Sequence, residues 1–196
     1  NVKMYNFPNL SCGWSGKGTI GGNPARSWLN GSLTAYSGTP IHELGHNFRT
    51  HHASTLNCTD DGGTRVSMGT TCTRASEYGD PFDVMGTSGY KRHFSNFNKG
   101  RIGTYAPNWL QAGNTLTIDP ALAPDAVYAV ASIETATSGI QSLRIARPYS
   151  YYEGATNVTV SDGHYYIEYR RPYGFDSFAA TDPVVNGVSL RLAPSY

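Results

Sequence analysis

From Thr115 onward, apolar and polar residues alternate in short runs set apart by proline and glycine. The runs are residues 115–118 (TLTI), 126–130 (AVYAV), 141–145 (QSLRI), 165–169 (YYIEY) and 188–192 (VSLRL). A period of two over four or five residues marks half-buried strands, and without helical runs between them it predicts a small β-sandwich or barrel-like lobe. The first half reads differently. Val2–Phe7 alternates as a strand that Pro8 ends, residues 27–30 as a second short strand, and residues 11–23 as a glycine-rich connector. Thr39-Pro40 offers an N-cap and a first-turn proline to a helix running to about Phe48, and residues 94–102 predict a second helix closed by Gly103. Residues 53–82 predict a long loop. The expected class is α+β: a core over residues 1–112 and a β-rich lobe over 113–196, parts of one catalytic unit.

Composition narrows the setting. Charged residues are 15% of the chain and the formal net charge is +1, which gives no electrostatic case for nucleic acid. No apolar run approaches the roughly 20 residues that cross a bilayer, and the opening Asn1-Val2-Lys3-Met4-Tyr5 is no signal peptide, so a mature or trimmed, secreted chain is expected. A monomer is expected. Cys12, Cys58 and Cys72 form no C-x-x-C pair, which speaks against a second, thiolate zinc site. Cys58 and Cys72 flank a segment rich in Gly, Thr and Asp, and bridging them stabilises by roughly 3 kcal/mol on the chain-entropy account. That bridge implies an oxidising, extracellular compartment. It leaves Cys12 as a buried free thiol or as a residue with a partner outside the chain. Sequons at Asn9, Asn30, Asn57 and Asn157 matter only in a eukaryotic secretory pathway.

The chemistry concentrates in His42-Glu43-Leu44-Gly45-His46-Asn47-Phe48-Arg49-Thr50-His51-His52. Residues four apart share a helix face, so His42 and His46 can offer ring nitrogens to one zinc ion at about 2.0–2.1 Å. Glu43 follows the first ligand directly and is placed to act as general base on a metal-held water. A third ligand six residues beyond His46 must come from a chain that has left the helix, which gives three protein ligands and one open position. A formal G-x-G-x-x-G at Gly16, Gly18 and Gly21 is no nucleotide fingerprint, because Pro24 and a strand follow it where a helix is required.

This spacing resembles the metzincin signature H-E-x-x-H-x-x-G-x-x-H with a following Met-turn at Met85. The H-E-L-G-H-N core, Ala53 after the third histidine, the Tyr78-Gly79-Asp80-Pro81-Phe82-Asp83-Val84-Met85-Gly86 block and the His93-Phe94-Ser95-Asn96-Phe97-Asn98-Lys99 helix are similar to the gametolysin family. Tyr166-Ile167-Glu168-Tyr169-Arg170 also looks like that family's C-terminal strand. The resemblance implies a metzincin-like core of active-site helix, Met-turn and second helix, with an N-terminal part that is short or missing. It further implies Zn²⁺ on His42, His46 and His52, Glu43 as catalytic base, and endopeptidase action on extracellular-matrix or cell-wall proteins. By analogy the 27–30 strand would rim the cleft and pair with substrate, or be an ordinary edge strand.

Arg49 stands where the family carries glycine. Either it takes a strained left-handed turn, at a cost of about 1–2 kcal/mol, or the turn is reshaped and His51 replaces His52. Tyr90 and His93 are candidate oxyanion donors, with packing as the other reading. Asp80 and Asp83 either bind Ca²⁺ or cap the turn, and capping is favoured. The competing function is a carbohydrate- or matrix-binding module with a vestigial or structural zinc site, supported by 14 tyrosines, the β-rich second half and low charge. Glu43 separates the two, since a structural site has no use for it.

Overall fold

The computed structural model describes residues 1–31, 37–69, 71–87, 91–103, 110, 112–122 and 125–196. Over these the chain is an α+β fold of three sheets and two α-helices. No helix among the described residues is long and apolar enough to cross a membrane.

Three strands precede the first helix: β1 (Val2–Phe7), β2 (Gly16–Gly18) and β3 (Ala25–Asn30). They lie in the order β1-β3-β2, with β1 parallel and β2 antiparallel to β3. Along β3, Ala25, Ser27 and Leu29 are buried while Arg26 faces solvent. The buried face rests on α1 (Thr39–Asn47), where Ser27 Oγ donates to Asn47 Oδ1 at 2.7 Å. Asn47 Nδ2 in turn donates to the carbonyls of Thr19 and Arg26 at 3.0 and 2.9 Å. Two expectations change here. The strand read as 27–30 is the central one, so it rims nothing, and β2 is the edge strand beside α1. Glycine's weak strand preference hid β2 inside what reads as a connector. The helix also starts one residue early, with Gly38 rather than Thr39 in the N-cap place and no side-chain cap.

Residues 53–82 are not a loop. They hold β4 (Thr55–Thr59), β5 (Arg65–Val66) and β6 (Thr71–Ser76), with Cys58 bonded to Cys72 across β4 and β6. These strands are built from Thr, Asn, Ser and Arg with little apolar alternation, so the period-two signal is absent. Cys12 is a free cysteine and is exposed, not buried.

Helix α2 (Asn96–Gly103) starts two residues after the expected position. Its Ile102 is buried in one cluster with Val84, Met85 and Phe94, and Ile41, Phe48 and Ala53 pack against them. Beyond it come β7 (Thr115–Ile118), β8 (Ser142–Ala146), β9 (Tyr149–Glu153), β10 (Thr156–Val160), β11 (His164–Glu168) and β12 (Ser189–Ala193). Four of them form a sheet in the order β12-β11-β8-β7, and the β9–β10 hairpin, turning at Gly154 with φ +60°, leaves it to complete the sheet β10-β9-β6-β4-β5. The second half is therefore no self-contained sandwich. Residues 126–130 form no strand; their alternation finds no surface to cover, and Val127 is fully exposed.

Buried polar groups join the two halves. The Asn96 amide donates to Glu168 Oε2 at 2.6 Å, Asn96 Nδ2 donates to Ser142 Oγ at 2.8 Å, and Arg191 reaches Asp80 at 2.9 Å. Arg170, with no exposed side-chain surface, is ion-paired to Glu134 at 2.9 Å, to Glu168 at 3.1 Å and to Asp176.

Candidate metal centre

His42 and His46 lie one turn apart on α1, both buried. His42 Nδ1 contacts the Val84 carbonyl at 2.8 Å and His46 Nδ1 the Thr50 carbonyl at 2.9 Å. A carbonyl cannot donate, so each Nδ1 carries the proton and each Nε2 is a bare lone pair.

The end of α1 sets the third histidine. Thr50 N–H donates to Gly45 O at 3.1 Å and Arg49 N–H to His46 O at 2.8 Å, the paired bonds of a helix stop that needs a left-handed residue at its turn. That residue is Arg49, with φ +69°, so the strained turn is the one formed. The Arg49 stem lies against Gly21, where an added Cβ would stand 2.9 Å from Arg49 Cγ. His51 then points outward and His52 turns in.

His52 Nδ1 lies 2.7 Å from Glu77 Oε1, which fixes its tautomer as the carbonyls fix the others. Its Nε2 comes within 3.1 Å of His46 Nε2. One ring nitrogen from each of His42, His46 and His52 lies within 4.8 Å of the others, and the trio could hold a metal ion. Burial pushes His42 down to about 4 and lowers His46 as well, which keeps both neutral and ready to ligate.

Glu43 is also buried, and desolvation raises its carboxyl to about 7. Its neighbours explain the glycines of β2. A Cβ on Gly16 would stand 2.5 Å from Glu43 Oε1, and one on Gly18 2.7 Å from the Glu43 carbonyl. The G-x-G pattern is thus the condition for an edge strand to lie against the carboxylate. Gly45 serves the opposite side, since a Cβ there would stand 2.5 Å from Met85 Sδ and 2.8 Å from Phe94. Met85 is fully buried beneath α1, and the adjacent Val84 supplies the carbonyl that orients His42.

Asp80 and Asp83 shape this turn. Asp83 accepts from the Met85 amide at 2.8 Å, the Ser95 amide at 3.0 Å and Asn98 Nδ2 at 2.8 Å, while Asp80 accepts from the Phe82 amide at 2.8 Å and pairs with Arg191. Their oxygens cap the backbone. His93 is packed against Gly174 and lies 5.5 Å, ring to ring, from Phe175, and its amide donates to Asp176 at 3.0 Å. It belongs to the 173–176 segment, so the oxyanion reading gives way to packing. Tyr90 lies outside the described residues.

Sequence reasoning missed Glu77 and Tyr78. Tyr78 lies over the cluster, its ring 4.0 Å from that of His52 and 5.9 Å from that of His42. A signal existed: counting outward from the Cys58–Cys72 pair along antiparallel strands brings the neighbourhood of His52 opposite residues 77–78. No family model, curated protein or solved structure matches the chain.

Proposed function

We propose that the protein is a secreted zinc endopeptidase of the gametolysin type, with a metzincin-like core, acting on extracellular or cell-wall proteins. The observation that carries this reading is the convergence of three bare Nε2 atoms beside a buried carboxylate. Two nitrogens bound at about 2.0–2.1 Å in a tetrahedral site stand about 3.3 Å apart. The 3.1 Å between His46 and His52 fits that requirement. An imidazole trio suits zinc among the common metals. When bound, the ion supplies Lewis acidity and lowers the pKa of a water to about 7.

The chain's own groups supply the rest. Glu43, buried on α1 directly after His42, is placed to take a proton from water and return it to the departing amine. Glu77 holds the His52 ring, as Val84 and Thr50 hold the other two. Among the described residues β2 has a strand on one side only, and this edge, lying on the Glu43 side of α1, would pair with an extended peptide, in place of the central strand first expected in that role. A closed structural site would bring a fourth protein ligand, and among the described residues the cluster has three.

The test is digestion of a protein or peptide mixture by the zinc-loaded chain and by Glu43→Gln. Turnover should fall by at least about 10²-fold in the variant while zinc stays bound, and a chelator should stop the parent. Cleavage by Glu43→Gln at the parent's rate would remove Glu43 from the mechanism.

A further inference from the structure

All 14 acidic residues of the chain lie at or beyond Glu43. The sheet β1-β3-β2 therefore carries Lys3, Lys17 and Arg26 and no carboxylate of its own. Its inner face meets α1 through Ser27, Gly16 and Gly18. By strand alternation the opposite face carries Lys3 and Tyr5 of β1, Arg26 and Trp28 of β3 and Lys17 of β2. The register confirms the grouping, with Lys3 beside Arg26, Tyr5 beside Trp28 and Lys17 on the other flank of Trp28.

An outward sheet face is ordinarily polar, and this one is aromatic. Tyr5 and Trp28 lie 6.2 Å apart with planes within 18°, and Tyr5 is 43% exposed. Lys17 Nζ sits 5.0 Å over Trp14, so the cationic and aromatic groups run as one strip. Tyr5 is exposed, Trp28 half-buried beside it, and Lys3, Lys17 and Arg26 are exposed around them, so the face offers an aromatic pair within a ring of cations.

We propose that this outer face binds an acidic polysaccharide, its sugar rings lying on Tyr5 and Trp28 and its carboxylates or sulfates meeting Lys3, Arg26 and Lys17. The apolar face of a pyranose matches an indole or phenol plane, and the charge complementarity selects an anionic chain over a neutral one. A single-stranded nucleic acid fits less well only by setting. Its bases stack on aromatic rings much as a pyranose does, so the geometry of this pair does not separate the two polyanions. The Cys58–Cys72 disulfide fits an extracellular setting, where acidic polysaccharides surround cells. The face is turned away from Glu43, so this binding does not depend on the peptidase reading.

The experiment is affinity electrophoresis of the whole chain in gels containing sodium polygalacturonate, dextran or oligothymidylate, without zinc or peptide. Polygalacturonate should retard the protein, dextran should not, and added salt should weaken the effect. Tyr5→Ser and the pair Lys3→Gln with Arg26→Gln are exposed changes that keep the fold, checked by circular dichroism, and each should weaken binding by about tenfold or more. Trp28→Ala should do the same if it folds, and the other variants decide the matter if it does not. Unchanged retardation in the folded variants overturns the proposal. Tighter binding of oligothymidylate, or self-association that Tyr5→Ser abolishes, overturns it in favour of a nucleic-acid face or an interface between copies.

Discussion

Two polar clusters are buried in this protein, and they are resolved in opposite ways. Around Arg170, three carboxylates gather on one guanidinium, and Arg191 extends the set by pairing with Glu168 and Asp80. Opposite charges answer each other and tie β11 and β12 to the turn below α1. Around His42, His46 and His52, each ring has one nitrogen satisfied and the other aimed at its neighbours' lone pairs. The first cluster is closed by the protein's own ion pairs save for Glu134 Oε2, which has no partner among the described residues, whereas the second is a set of nitrogens that could hold a cation. Ring nitrogens that converge on one point suit a shared cation better than they suit one another.

The largest expected effect breaks the closed cluster. Arg170→Met leaves Glu134, Glu168 and Asp176 without their shared cation and should cost about 3–5 kcal/mol in urea unfolding, whether or not zinc is added. If this change and His42→Ala lost stability equally, and only in the presence of zinc, the contrast between the clusters would fail. Next comes the support of the open one. Glu77→Gln removes the carboxylate that holds His52, and zinc affinity should fall by about 10–100-fold in a competition titration with little change in the metal-free melting temperature. An unchanged affinity would make Glu77 a bystander.

A smaller effect concerns pH. Burial raises Glu43 to about 7 from an unfolded value near 4.5, so the metal-free folded state binds the extra proton between those values. Stability from this group is full below about 4.5 and is lost as pH rises through about 7. Glu43→Gln cannot ionise, so in chelator its melting temperature should match the parent's at pH 5 and exceed it at pH 8. A constant difference across that range would contradict the buried-carboxyl account. The smallest change is at Arg49. Replacing it by glycine relieves the φ +69° strain, worth up to about 1–2 kcal/mol, but loses the packing over Gly21 and adds unfolded-state entropy. A gain of less than about 1 kcal/mol with zinc retained is expected, and a clear loss would show that the arginine holds the turn by its contacts.

The open cluster was far more legible in the sequence than the closed one. His42, His46, His52 and Glu43 announce themselves by spacing because a helix converts four-residue intervals into one face, and Met85 follows at a readable distance. Arg170 meets Glu168 two residues back, Asp176 six residues on through a loop, and Glu134 from 36 residues earlier, and no local period encodes that set. Strand detection failed where the physical signal was weak. The glycines of β2 and the polar residues of β4 and β6 lack alternation, while residues 126–130 alternate without any face to bury. The left-handed Arg49 shows the converse, a position where the local preference of the residue is overridden by the hydrogen bonds of the helix stop.

The measurement that reaches the centre of this account is X-ray absorption at the zinc edge of the protein loaded with one equivalent of zinc, in the parent and in His51→Ala and His52→Ala. Three histidine nitrogens and one oxygen at about 2.0–2.1 Å are expected in the parent and in His51→Ala, with one nitrogen lost in His52→Ala. A fourth protein ligand, or a shell that changes with His51 and not with His52, would contradict it.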